Sequence, residues 1–93
     1  MDSRKTHPWL GVNVVGSATV QTGPGMLHTI IVNSAANAAT IAIYDGVDAG
    51  GTLRGTITAT GQVGLSLLYD MEFTTGLFIA IAVAAVDLTV TYI

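Results

Sequence analysis

The last eighteen residues, GLFIAIAVAAVDLTVTYI from Gly76 to Ile93, carry one charged side chain, Asp87. A stretch of this kind either crosses a membrane or is buried in protein. A spanning helix needs about 20 predominantly apolar residues. The uncharged run from Phe73 to Val86 has 14. A helix through the whole tail would place Asp87 in hydrocarbon, at about 2.5–3.5 kcal/mol near the centre. Beyond Ala85, the residues Val86, Leu88, Val90 and Tyr92 alternate with Asp87, Thr89, Thr91 and Ile93. A period of two is that of a strand with one wet face. Upstream, Leu77, Ile79, Ile81 and Val83 alternate with Phe78, Ala80, Ala82 and Ala84. Both sets are apolar, one large and one small, which predicts a strand covered on both sides. The tail therefore predicts two strands with a turn near Ala84–Ala85, and no membrane span.

Ninety-three residues make one domain. Size scaling gives a compact surface of about 5,000 Å², enough for a single modest core. With no cysteine, no disulfide or thiolate-bound zinc can staple that core. Only 10% of residues are charged while 51% are hydrophobic, against about 25% charged in an ordinary soluble domain. Such a chain has too few charges to cover its own outside, so it is expected to bury part of it against copies of itself or a partner. Three basic residues and a net charge of −3 argue against a nucleic-acid footprint.

MDSRKTHPW, residues 1–9, holds Arg4 and Lys5 and reads as an N-terminal arm, with Pro8 biasing His7 toward an extended backbone. Pro8, Asn13 and several glycines interrupt the apolar stretch that follows, which makes a poor secretion signal. Residues 10–93 form the body. LGVNVVGSATV (10–20) is β-rich and broken at Gly16; GPG (23–25) is a turn. Strands are expected at 26–34, 40–45, 52–60 and 63–70, with the two tail strands after Gly76. In TLRGTITAT, Leu53, Gly55, Ile57 and Ala59 alternate with Arg54, Thr56 and Thr58. About eight short strands and no amphipathic helix predict an all-β sandwich or barrel.

Candidate chemistry is sparse. DGVDAGG (45–51) could be a calcium loop, but it brings only Asp45 and Asp48 and no glutamate. A hairpin connection built on Asp-Gly and Gly50–Gly51 fits better. The glycines form no phosphate-binding motif. His28 lies in an apolar strand and reads as a core or interface histidine. Ser66, His28 and Asp70 supply the residue types of a hydrolytic triad, yet nothing around them marks a nucleophile elbow. Asp70 and Glu72 would share a strand face as a solvated end. No catalytic, cofactor or metal residue is therefore assigned, and the chain is not expected to be an enzyme. Trp9 leaves two readings open. With Arg4, Lys5 and His7 it could anchor to a partner, or it could fold back on its own core beside a frayed terminus.

Three stretches, GMLHTIIVNSA (25–35), IYDG (43–46) with its glycine-containing loop, and YDMEFTTGL (69–77) with DLTVTY (87–92), carry a family resemblance. Over residues 25–92 the chain resembles the small all-β virion proteins of tailed bacteriophages. The resemblance implies a compact antiparallel β-sandwich, jelly-roll-like, acting as a capsid decoration (cement) protein. Such a protein is made in the host cytoplasm and sits on the capsid exterior. It binds the major capsid protein and its own copies, as a homotrimer by analogy, with no nucleic-acid or membrane partner and no cofactor. A neck, tail or head-fibre subunit is the alternative, and a carbohydrate- or surface-binding module a weaker one.

Overall fold

A computed structural model describes residues 9–35, 38–61 and 64–93. Aliphatic and threonine-rich segments with a two-residue period, separated by glycine-bearing turns, form eight strands among them. These are β1 (Leu10–Val14), β2 (Ala18–Thr22), β3 (Gly25–Ser34), β4 (Ala39–Asp45), β5 (Thr52–Ala59), β6 (Leu65–Phe73), β7 (Gly76–Ala82) and β8 (Asp87–Tyr92). They pair antiparallel in two four-stranded sheets, ordered β1-β8-β3-β6 and β2-β7-β4-β5. Every connection except β4–β5 carries the chain from one sheet to the other.

The core lies between the sheets. Leu27, Ile30, Val32, Leu88 and Val90 from the first meet Ile41, Ile43, Leu77 and Ile79 from the second, all fully buried. Each such side chain contributes about 1.5–3 kcal/mol relative to exposure. The tail is indeed two strands, and they fall in different sheets. No helix among the described residues is long and apolar enough to cross a membrane.

Four expectations need correction. The outer face of β7 is not covered within one chain: Phe78 and Ala80 are half-buried and Ala82 is exposed. Val83 does not continue the buried row, because β7 ends at Ala82 and Val83 turns out with φ 79°, 84% exposed. Leu53 does not share the buried face of Ile57 and Ala59. Tyr44 pairs with Leu53 and Ile43 with Gly55, so Arg54 is an extra residue in β5. That bulge reverses the parity of the strand and puts Leu53 outside, 54% exposed. The fourth expected strand also runs further, to Phe73 rather than residue 70.

Bulges recur at the sheet edges, at Val20 in β2, Arg54 in β5 and Tyr69–Asp70 in β6, while the fourth edge, β1, has only five residues. Short or bulged edges do not template pairing with other chains. Apart from Trp9, the expected arm lies outside the described residues.

Candidate functional site

The two motifs IYDG and TTGL meet in space. Asp45 closes β4 and is only 6% exposed. Its carboxylate accepts the Thr74 N–H at 2.9 Å (Oδ2), the Thr75 N–H at 2.9 Å (Oδ1), the Gly76 N–H at 3.4 Å and the Thr74 hydroxyl at 3.1 Å. Arg54 Nη2, aimed there by the β5 bulge, lies 3.5 Å from Oδ2. The Thr75 N–H, followed by the Thr74 N–H, holds the Asp45 carboxyl down at about 2, against the upward push of burial. The same turn is tied twice more, by Gly23 N–H to Thr75 O at 2.8 Å and Gly46 N–H to Gly76 O at 3.0 Å. Asp45 thus clamps the β2–β3, β4–β5 and β6–β7 connections at one end of the sandwich. Both its oxygens accept backbone N–H groups, with the Arg54 guanidinium beside Oδ2, and Asp48 Oδ1 accepts the Gly50 N–H inside its own loop. Sequence reading treated Asp45 as a turn residue. Its acceptor role depends on donors about thirty positions away, which no local pattern encodes.

His28 sits where β3 has one residue more than β8 and β6 one more than β3. Asp70, in β6, takes a left-handed φ of 46° there, a conformation aspartate tolerates. Its Oδ1 lies 2.5 Å from His28 Nδ1. A carboxylate only accepts, so Nδ1 is the protonated nitrogen. Trp9 stacks flat on the imidazole, with ring centroids 4.2 Å apart and planes 10° from parallel. The bulges thus assemble Trp9, His28 and Asp70 on the outer face of the first sheet. Ser66 is not with them; it pairs with Ile31, three positions along β3. A histidine–carboxylate pair is present without its nucleophile. Of the four residues considered for partner binding, Trp9 is rooted on its own chain, and Arg4, Lys5 and His7 lie outside the described residues.

The outer faces of the two sheets differ. On β1-β8-β3-β6, Asn13 donates to Asp87 Oδ1 at 2.6 Å, and Asn33 donates to the same oxygen at 3.0 Å and to Thr89 Oγ1 at 2.9 Å. Asn33, then Asn13, draws the Asp87 carboxyl below its ordinary range. Thr29 N–H adds a bond to Thr91 Oγ1 at 3.1 Å. This face also carries Asp70 and Glu72, so it is acidic and internally bonded, with Leu68 exposed among the polar groups. On β2-β7-β4-β5 the outward positions of β7, β4 and β5 are Phe78, Ala80 and Ala82, Thr40, Ala42 and Tyr44, and Leu53, Thr56 and Thr58. None is charged. The Phe78 and Tyr44 rings lie 6.2 Å apart, tilted by 54°.

At the end opposite the Asp45 clamp, Val15, Ser34, Ala85, Val86 and Asp87 line an open hollow. Asp87 is already engaged by Asn13 and Asn33, which leaves Ser34 as the other polar side chain among the described lining residues. No three potential metal ligands come together among the described residues. The arrangement combines an end clamped through Asp45 with two outer surfaces of different make-up. Comparison with known proteins adds no family: no family model matches this sequence, and no curated protein or solved structure matches it.

Proposed function

We propose that this chain is a structural protein of a tailed-bacteriophage virion, a capsid decoration (cement) protein that binds the outside of the assembled shell. The strand order, with one connection within a sheet and all others crossing, supports reading the sandwich as a jelly roll. The observation that carries the functional reading is the uncharged outer face of β2-β7-β4-β5 in a chain with 10% charged residues. A free-standing domain alternates polar residues onto both outer faces. A face that carries Phe78, Tyr44, Leu53 and three alanines among its threonines, and no charge, is one suited to being covered.

The mechanism is mechanical. Copies associate with one another and with the major capsid protein, and each adds buried area across the seams of the shell. Because the protein binds the assembled shell and not its separated parts, mass action stabilises the shell. Arg4 and Lys5, with His7 beside them in sequence, supply contacts to carboxylates of an acidic subunit or shell from an arm whose root, Trp9, stacks on His28. The Asp45 clamp joins two of the stretches that carry the family resemblance, which supports treating them as one structural unit.

The test is sedimentation of the purified protein with assembled shells that lack it, and separately with unassembled capsid subunits. Co-sedimentation with shells alone, with a rise in shell melting temperature, is expected. Failure to bind assembled shells would overturn the reading.

A further inference from the structure

We propose that residues 1–8 dock on the outer face of the β1-β8-β3-β6 sheet of their own chain, with Arg4 and Lys5 at the carboxylates of Asp70 and Glu72. Trp9 fixes where the segment joins the body. Leu10 pairs with Tyr92 in the edge strand β1, yet the Trp9 ring lies on His28 in β3, beyond β8. The side chain that roots the segment is thus laid inward across the sheet. His28 in turn donates to Asp70 on the next strand, β6. The face is open there: Leu68 is 69% exposed, and Glu72 is exposed.

Charge selects the occupant. The chain has three lysines and arginines, and one of them, Arg54, belongs to the other sheet and lies beside Asp45. The described residues hold five acids, Asp45, Asp48, Asp70, Glu72 and Asp87, against that arginine, a net −4; residues 1–8 hold Asp2 against Arg4 and Lys5, a net +1, and together they make the chain's −3. The acidic face therefore has no lysine or arginine of its own, and the two that remain are both in the segment that Trp9 roots beside it. Glu72 makes no hydrogen bond or ion pair among the described residues. Asp70 uses Oδ1 on His28, and its side chain is 51% exposed, so it keeps lone pairs for a second donor.

Length fits as well. Lys5 is four residues from Trp9, a span of up to about 14 Å before its own side chain is counted. Glu72 is two residues along β6 from Asp70, about 7 Å. Asp87 opens β8 at the other end of the sheet, five residues from Tyr92, about 17 Å, and Asn13 and Asn33 already hold it. Asp45 is buried, and Asp48 is bonded within a loop of the other sheet. Asp70 and Glu72 are thus the side-chain carboxylates open to the segment nearest its root. Single exposed ion pairs are weak, but the tether holds both cations at an effective concentration of roughly millimolar. The contact is therefore intramolecular and sensitive to salt. Carboxylates of the subunit or shell proposed above compete with Asp70 and Glu72 for the same two side chains, so the arm covers its own face in the free protein and exchanges it for a more acidic surface.

The test uses the free protein, so it stands apart from the capsid reading. A carbodiimide joins an amine to a carboxylate only where the two touch, and Lys5 is the single lysine. An equal mixture of unlabelled and 15N-labelled full-length chain is treated at low salt, digested and mapped by mass spectrometry. An amide between Lys5 and Asp70 or Glu72, within chains of one isotope, is expected. Its yield is expected to fall several-fold in about 0.5 M salt, and several-fold in Trp9→Ala with unchanged far-UV circular dichroism. A link mainly to Asp2, Asp48, Asp87 or the terminal carboxylate overturns the proposal, as does a link that joins the two isotopes. So does the absence of any Lys5 link while an N-hydroxysuccinimide ester still acylates Lys5. A yield that Trp9→Ala leaves unchanged removes Trp9 as the root and overturns the placement.

Discussion

Replacing Gly76 with alanine tests whether the end of the sandwich is held by backbone crossings too close for any side chain. A Cβ at Gly76 would lie 2.7 Å from Gly46 O and 2.8 Å from Gln21 O. Both are main-chain atoms of neighbouring segments, so neither can rotate away. Gly76 has no positive φ, so the penalty comes from space and not from backbone conformation. Overpacking costs about 1–3 kcal/mol. Moving Gly46 also weakens its N–H bond to Gly76 O, worth about 1 kcal/mol. The expected loss is about 2–4 kcal/mol. At about 4–8 °C per kcal/mol for a domain of this size, the melting temperature should fall by roughly 8–32 °C. Gly16→Ala is the control: a Cβ there meets nothing within 4 Å and φ is not positive, so stability should be unchanged or slightly raised. Thermal melts followed by far-UV circular dichroism read both. A Gly76→Ala variant within about 0.5 kcal/mol of wild type, the spread of ordinary surface substitutions, would refute the reasoning.

The Asp45 carboxyl sits at about 2 in the folded chain against an ordinary 3.8, so its contribution is complete above the ordinary value and is lost as pH falls toward 2. Asp45→Asn should flatten the acid limb of a stability–pH profile from chemical denaturation, with Asp87 keeping part of the slope; an unchanged limb would exclude the clamp. Val83→Gly should stabilise by about 0.5–1 kcal/mol, since a left-handed backbone costs a side chain roughly 1–2 kcal/mol and glycine returns part of that as entropy; denaturant midpoints measure it. Trp9 is the single tryptophan, so its emission reports the stack directly. His28→Ala should shift that emission to the red while Ser66→Ala leaves it in place.

Wherever one strand obeys one period, the fold was legible in the sequence. The rows Val86–Leu88–Val90 and Ile41–Ile43 announce buried faces, and the glycine-bearing breaks at Gly16, Gly23 and Gly50–Gly51 fall between strands. Single inserted residues were not legible. Arg54 moves Leu53 to the outside, and the irregularities at His28 and Asp70 bring a histidine, a carboxylate and an indole together. A bulge depends on how two strands pair, which neither strand encodes alone. The division into two sheets was hidden for the same reason: β7 and β8 are neighbours in sequence and lie in opposite layers. The candidate surface was half legible. Two apolar rows on β7 suggested cover on both sides, but the register with β4 and β5 was needed to find its shape.

The proposal that this is a capsid decoration protein is tested most directly by the number of copies in gradient-purified virions grown from the genome that carries its gene, counted by quantitative mass spectrometry against the major capsid protein. A decoration protein is expected in fixed proportion to the capsid subunit and is stripped when the shell is disassembled. Absence from purified particles, or only the handful of copies of a neck or tail component, would contradict the account.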